Sequence, residues 1–515
     1  MEKYLYRRNT LKNSDFVVWM AFPGVYSFSM SSLGFLWMFK SIDEIGGVNI
    51  ERICSDTEKT IYSKPDILAF SFSFDMDFLT IFSMLEKYNI PLKSKDRDII
   101  VFAGGPVVTA NPEPYKDFFD FFIIGDGEEV NIKAIEISKN AKNKQDALKK
   151  LSELEGIYVP IYPRNVKKLT KKLSECIYTP IISDNAFFKD TFILEMSRGC
   201  ANRCGFCLAS YSNLPLRCVP YDELLKTIEL GLHYTDKIAL LGAQISAHPH
   251  FNDICKYIHD KIKTGQNIEM SVSSLRVDAI TSDVIKTFFA CGQKNITLAI
   301  EAGSERLRKM INKNLTERQI FNAVKIVREN GLKGIKFYGM IGLPFETQED
   351  LEKIIELAKH IKKENKGFDI SFGFSTFVPK PNTPFQWFGR ENTKSLERKS
   401  NFLKKELHKL GITVNISSAK WDYWQAVLSR GNSSLCDFIL QVYKQGGKLG
   451  AFKSASKKLN INTDYFACTN WKFEQALPWD FIDITPGKKF LTEENQRLTA
   501  ACNHSTQDLT SVQNN

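Results

Sequence analysis

Three of the chain's 11 cysteines fall within eight residues, in the run Arg198-Gly199-Cys200-Ala201-Asn202-Arg203-Cys204-Gly205-Phe206-Cys207. Cysteines make up about 2% of the chain, so two more at preset offsets from any one of the 11 arise by chance about 0.005 times. The run directly follows an apolar strand expected at 191–196 and opens on a glycine-bearing loop. Strands and helices alternate on both sides of it, which places the cysteines at the carboxyl edge of a parallel sheet, where active sites of such folds sit.

Residues 1–15 are polar and charged, with no apolar stretch and cleavage site of an export signal. Residues 16–39 carry no charge but contain Pro23, Gly24 and four serines, so they do not read as a membrane span. The expected compartment is the cytoplasm, where clustered cysteines mean metal or catalysis rather than disulfides. Three thiolates on one short loop can hold three irons of a [4Fe-4S] cluster and leave the fourth open to bind and reduce a ligand. A structural Zn²⁺ with Cys218 as fourth ligand is the alternative metal. Free structural cysteines are the third reading. The other eight cysteines are scattered singly and read as small buried hydrophobes, except Cys502 in the tail, which has no evident role.

A length of 515 residues suggests about three domains. With 43% hydrophobic and 25% charged residues, disorder is excluded for the bulk of the chain. The net charge of +10 is local: 392–460 carries +9 and 131–175 carries +6. A lysine-rich solvated surface explains this. So does a phosphate-rich substrate such as RNA on the C-terminal third.

Apolar runs at 16–21, 66–72, 99–102 and 121–124 alternate with helical stretches at 32–45, 78–88 and 112–117. This pattern predicts a flavodoxin- or Rossmann-like doubly wound α/β domain over 1–150. Gly104-Gly105-Pro106 and Gly125-Asp126-Gly127-Glu128-Glu129 follow strands as tight turns at the ligand-binding edge. A basic linker is expected over 151–189, with short strands at 157–161 and 176–182. From 190 to 397 come six strands (191–196, 237–241, 268–272, 295–301, 335–341 and 369–376) with helices between them. Six βα units are too few for a full eight-unit barrel and predict a partial (β/α)6 TIM-type barrel. The basic segment 398–496 reads as mainly helical, and 497–515 as a disordered tail.

The cysteine run after the first strand of a six-unit barrel resembles the radical S-adenosylmethionine (radical SAM) superfamily. Glu301-Ala302-Gly303-Ser304-Glu305-Arg306-Leu307 is similar to its methylthiotransferase-like and cobalamin-associated branches. So are Gly339-Met340-Ile341-Gly342-Leu343-Pro344-Phe345-Glu346-Thr347 and Val378-Pro379-Lys380-Pro381-Asn382-Thr383-Pro384-Phe385-Gln386-Trp387. Residues 16–130 resemble the cobalamin-binding domain that precedes the barrel in one such branch.

The resemblance implies that SAM chelates the open iron and is cleaved reductively to methionine and a 5′-deoxyadenosyl radical. It puts Cys200, Cys204 and Cys207 on the cluster and Phe206 beside the adenine. Gln244 falls at the SAM amino group, in Gly242-Ala243-Gln244 where the family usually has Gly-Gly-Glu. It puts Ser274 and Arg276 at the methionyl carboxylate, Glu301 at the ribose hydroxyls, and the backbone of Gly339 and Ile341 at the adenine. Without the resemblance these are turn glycines, an arginine in a surface pair and a glutamate capping Arg306. No histidine precedes His233, and Pro23-Gly24-Val25-Tyr26 stands where the family's Asp-x-His-x-x-Gly loop belongs. Cobalamin held by a histidine of this domain is therefore excluded. Cobalamin without a lower protein ligand, or an empty domain, stays open.

Two functions follow: an enzyme for methyl or methylthio transfer or C–H functionalisation, or an Fe–S/SAM-binding sensor without turnover. The enzyme needs an electron donor such as flavodoxin or ferredoxin. RNA is favoured as substrate by the basic C-terminal third and by Trp421, Trp424, Trp471 and Trp479, with a lipid or small metabolite as rival.

Overall fold

The computed structural model describes residues 1–9, 16–58 and 64–511, with 501–511 described by their backbone alone. Two parallel-sheet layers carry the chain, as the alternating apolar runs require. The N-terminal sheet comprises β1 (Val17–Phe22), β2 (Asn49–Cys54), β3 (Ile67–Ser71), β4 (Ile100–Gly104), β5 (Phe121–Ile123) and β6 (Ile157–Tyr158). Its spatial order is β2-β1-β3-β4-β5-β6, parallel throughout except for β6. The order reverses between β1 and β3, the switch point at which doubly wound sheets open a ligand crevice.

Alternate residues of β1 serve two cores. Val18 and Met20 pack under Phe35, Leu36 and Phe39 of the helix Leu33–Asp43. Val17, Trp19 and Ala21 face Phe78, Ile81 and Phe82 of the helix Phe78–Lys87. The sequence reading missed β2. It is an edge strand whose Asn49, Glu51 and Arg52 leave no continuous apolar run. β6 lies beyond residue 150, so the N-terminal layer extends into the segment read as a linker. That segment is itself tied down: Val166–Lys167 pairs with Ile482–Asp483, and Ile181–Ser183 with Glu2–Tyr4.

The second layer is the partial barrel. Its strands are β7 (Thr191–Glu195), β8 (Lys237–Leu241), β9 (Glu269–Val272), β10 (Asn295–Glu301), β11 (Gly334–Ile341), β12 (Asp369–Thr376) and β13 (Thr413–Ile416). They form parallel sheets β7-β8-β9 and β10-β11-β12-β13, joined through a parallel bridge between Leu275 and Leu298. The six expected units are present, and β13 adds a short seventh strand. Only its Val414 is buried, so it left no apolar run to read. The helices start where side chains cap them: Thr281, Ser304, Thr316 and Thr347 each accept from a backbone N–H three residues on. The outward faces of the strands pack in one core against the helices that follow Thr281, Thr316 and Thr347, while the helix after Ser304 belongs to a separate cluster with Phe385 and Leu498.

The C-terminal helices close over the second face of the N-terminal sheet. Trp424, Trp471 and Trp479 are buried there beside Phe78 and Phe82. They hold the layers together and are not exposed for stacking on bases. Within the expected tail the backbone of residues 497–511 continues the helix Lys488–Ser511, which buries Leu491, Asn495 and Leu498; residues 512–515 lie outside the described residues. The side chain of Cys502 lies outside the described residues. Among the described residues no helix is long and apolar enough to cross a membrane.

Candidate active site at the mouth of the barrel

The three cysteines occupy the loop between β7 and the short helix Leu208–Ser212. Two left-handed residues shape it, Gly199 (φ 90°) and Arg203 (φ 47°). A Cβ on Gly199 would lie 2.4 Å from the Asn213 carbonyl oxygen, so only glycine lets the loop cross there. Neighbours then clamp the loop on both sides. Gly205 N–H donates to Ile311 O at 3.0 Å, and Phe385 N–H donates to Gly205 O at 3.0 Å. Asn312 Nδ2 donates to the carbonyls of Asn202 (2.8 Å) and Arg203 (3.1 Å). Arg203 lies over the Phe490 ring and Leu498 lies against Gly205, so the C-terminal helix covers the loop.

All three thiols are free. Burial pushes the Cys204 thiol up to about 12, with Lys313 opposing, and also raises Cys207, with Ser210 opposing. Protonated thiols held this way must be ionised by what binds them, which makes metal binding and proton release one event. Among the described residues no three His, Cys, Asp or Glu side chains converge as a cage for one ion. The donor set, three sulfurs spread along one loop, suits a multi-iron cluster better than a single ion.

Around the loop the predicted site residues separate into groups. Gln244, just past β8, is brought to the cysteines: its Oε1 accepts from Cys200 Sγ at 3.0 Å and also from Asn202 Nδ2. Ser274, Glu301 and Gly339 come together in one cavity of about 550 Å³ inside the barrel. Glu301 has φ 67°, where β10 slips register against β11, and this bulge turns its carboxylate toward Lys313 Nζ at 3.0 Å. Arg276 is engaged elsewhere: Nε and Nη2 reach Asp278 at 2.9 Å, and Nη2 donates to Lys313 O at 3.2 Å. Phe206 packs on the apolar cluster of Leu307, Ile311 and Phe385. Ile341 is not brought into the cavity. Its side chain is fully buried in the barrel core and its carbonyl accepts from Phe377 N–H at 2.8 Å.

Sequence reasoning missed Asn312 and Lys313, which buttress the loop and pair Glu301. The signal was the run Asn312-Lys313-Asn314 just past the helix Glu305–Met310, with both asparagines left-handed (φ 61° and 46°). It marks a turn, but nothing local says what the turn touches.

A second cavity, of about 300 Å³, opens at the switch point of the N-terminal sheet. Its walls include Met20, Phe35, Phe102, Gly105, Glu128 and Arg198. Glu128 Oε2 and Asn131 Oδ1 are buried at this cavity without hydrogen-bond partners among the described residues. Two unpaired acceptors beside an apolar floor call for a ligand that donates hydrogen bonds.

A partial barrel with a three-thiol loop at its mouth, preceded by a doubly wound domain, defines an iron–sulfur enzyme of the SAM-cleaving class. Residues 194–358 match the family model described as Radical SAM superfamily, and 42–160 match that described as Radical SAM proteins, N-terminal. An uncharacterized protein of Methanocaldococcus jannaschii is 32% identical over 381 residues, 71% of this chain and 80% of that one. The chain belongs to the radical SAM superfamily and is an enzyme of that class.

An uncharacterized methyltransferase of Pyrococcus horikoshii is 27% identical, over 66% of this chain and 72% of its own. A tRNA-2-methylthio-N(6)-dimethylallyladenosine synthase of Thermodesulfovibrio yellowstonii is 28% identical over 36% of this chain and 43% of its own. Among solved structures, the cobalamin-dependent radical enzyme OxsB, bound to aqua-cobalamin and SAM, shares the fold. Its TM-score is 0.53 at 13% identity, covering 96% of this chain and 80% of that one. The methyltransferase TsrM of Kitasatospora setae, with cobalamin and a [4Fe-4S] cluster, has a TM-score of 0.50 at 11% identity, covering 70% and 74%.

Proposed function

We propose that this enzyme cleaves SAM reductively at a [4Fe-4S] cluster held by Cys200, Cys204 and Cys207, and transfers a methyl or methylthio group. The observation that carries the reading is the clamped three-thiol loop beside a cavity that gathers Ser274, Glu301 and Gly339. When bound, the cluster supplies the electron that breaks a sulfur–carbon bond of SAM. The chain's own residues bind, orient and desolvate.

A thiolate at Cys200 would no longer donate to Gln244, and Gln244 Oε1, still accepting from Asn202 Nδ2, would have one further acceptor position for the SAM ammonium. An amide gives that group a hydrogen bond without the charge of the usual carboxylate. Glu301, already held by Lys313, presents its other carboxylate oxygen to the ribose hydroxyls. Ser274 meets the methionyl carboxylate. Arg276, locked to Asp278 and the Lys313 carbonyl, adds positive charge nearby rather than a direct fork. Phe206 offers an apolar face to the adenine, and Gly339 offers backbone.

The N-terminal cavity, at about 300 Å³, can take only one edge of a group as large as cobalamin, held without a lower histidine and with its amide-bearing periphery toward Glu128 and Asn131. The relatives that act on tRNA, and the basic C-terminal segment, support an RNA substrate. A small flavodoxin or ferredoxin is the electron donor of choice for a buried cluster of this kind.

The reaction is tested by reconstituting the protein without oxygen, adding SAM and reductant, and measuring 5′-deoxyadenosine and S-adenosylhomocysteine. Many turnovers of either product are expected. Neither product from protein carrying a full cluster would sink the reading.

A further inference from the structure

The barrel cavity has more lining than the SAM-directed residues use. One rung crosses four parallel strands: Ala299, Tyr338, Gly373 and Asn415 are successive register partners in β10, β11, β12 and β13. All four line the cavity of about 550 Å³. Branched aliphatic side chains normally fill such layers in a barrel. Here the rung is open. Tyr338 keeps 40% of its surface exposed, and a Cβ on Gly373 would come within 3.1 Å of the Tyr338 ring carbons Cδ1 and Cε1. One edge of the ring therefore rests on bare β12 backbone and the remainder faces the cavity.

The polar groups of this rung are unspent. Among the described residues, the Tyr338 hydroxyl and the Asn415 amide have no hydrogen-bond partner, nor has the hydroxyl of Ser375, two residues beyond the rung on β12. Lys313 holds Glu301, and the Lys336 ammonium lies over one face of the Tyr338 ring, 5.0 Å from its centroid. An exposed aromatic face with a neutral amide, one donor and one acceptor, is matched by a flat neutral ring carrying a donor–acceptor edge. That is the chemistry of a nucleobase.

The cavity also continues outward. A second hollow, lined by Asn401, Lys404, Ser418 and Glu397, whose carboxylate is paired with Lys420 at 3.2 Å, shares Ile416 and Ser417 with the first. It runs along the helix Thr393–Lys409, whose Lys394, Arg398 and Lys405 are exposed. A hollow flanked by exposed cations of one helix and leading to an aromatic ring and a neutral amide suits a single strand: phosphates along the helix, one base turned in.

We propose that Tyr338 and Asn415 receive one base of a single-stranded polynucleotide, Tyr338 by stacking and Asn415 by its amide edge. This rests on the reading of the same cavity as the reaction chamber. Neither residue was singled out by sequence, and Asn415 reaches the cavity only because β13 adds to the barrel.

The test uses fluorescein-labelled decamers of oligoriboadenylate, oligodeoxyadenylate and an abasic backbone, titrated into the cluster-loaded full chain and followed by anisotropy. Tyr338→Ala should weaken the adenylate decamer about tenfold, as loss of one stacked base does. Tyr338→Phe, which keeps the ring, should stay within about twofold of the parent. The abasic decamer should bind parent and Tyr338→Ala alike. Unchanged adenylate affinity in Tyr338→Ala, or an equal loss for the abasic decamer, overturns the proposal. If Tyr338→Ala does not fold, Asn415→Ala decides: it should lose adenylate affinity relative to the abasic strand, and parent-like affinity overturns the assignment. Stronger binding of the ribo- or the deoxy- decamer identifies the strand type, while tighter binding of either adenylate decamer than of the abasic strand supports base binding. Release of 5′-deoxyadenosine by the parent protein without oligomer, read on the same preparation, tests the proposed reaction by itself.

Discussion

Arg198 Nη1 lies 2.9 Å from Asp126 Oδ1, and the same guanidinium reaches Glu128 at 2.8 Å and Glu195 at 2.7 Å. The residue two places before Cys200 is thus held by two carboxylates of the N-terminal domain and one from β7. Arg217 binds Asp126 as well. Glu128 and Arg198 also wall the N-terminal cavity, so its wall and the cysteine loop share one buried network. Whatever fills that cavity is in direct contact with the support of the candidate cluster.

Asp126 should make the stability of this joint depend on pH. Burial alone would raise its carboxyl, but Arg198 and Arg217 outweigh that and hold it below the ordinary carboxylate value. A depressed folded pKa contributes stability above the unfolded value of about 4, and the contribution is lost as pH falls through the folded value. Asp126→Asn should therefore lower Tm at pH 7, and the gap to the parent should narrow steadily below about pH 4. Thermal unfolding followed from pH 7 to pH 3 measures this. A gap that does not vary with pH would contradict the assignment.

Cys204→Ala and Cys207→Ala should each lose most of their iron and the brown absorbance of the reconstituted protein. Cys218→Ala should keep both. Cys218 pairs across from Ser197 in a two-residue antiparallel ladder, on the strand that follows the loop rather than within it. Iron and sulfide analysis with zinc measured in parallel decides between the sets. Metal loss from the Cys218 variant together with bound zinc would reinstate the structural-zinc reading.

Gly199→Ala should destabilise the loop without removing a ligand. Its positive φ and the 2.4 Å approach to the Asn213 carbonyl leave no room for a methyl group. Strain of this kind costs about 1–3 kcal/mol. Urea denaturation reads the loss, and reconstituted iron should fall because the loop can no longer close around its cluster. Normal stability with normal iron would show that the turn is not constrained.

Lys313→Met should leave Glu301 buried and unpaired. The two side chains are 7% and 15% exposed, and breaking such a pair from one side costs about 3 kcal/mol. Lys313→Met combined with Glu301→Gln should recover much of that loss, since no uncompensated charge remains. Denaturation midpoints of the two single variants and the double variant test the coupling. Additive losses would mean that the pair does not interact.

Sequence alone settled the parts whose signal is local. Cysteine spacing does not depend on what packs around it. Buried parallel strands need apolar runs, so the alternation and the six barrel units were legible. Edge strands carry no such run. β2, with Glu51 and Arg52, and β13, with a single buried residue, were therefore silent. The C-terminal helix was silent for a related reason: its few apolar positions matter only because Phe385 and Gly205 lie beneath Leu498.

Tertiary structure decided which side chains meet. It brought Gln244 to Cys200 but turned Arg276 to Asp278 and sank Ile341 into the core. It also paired Arg198 with Asp126, far apart in sequence, and set Tyr338 and Asn415 in the lining of one cavity. The first depends on how the two layers pack together and the second on register across the barrel strands, and neither is written in any short run of residues.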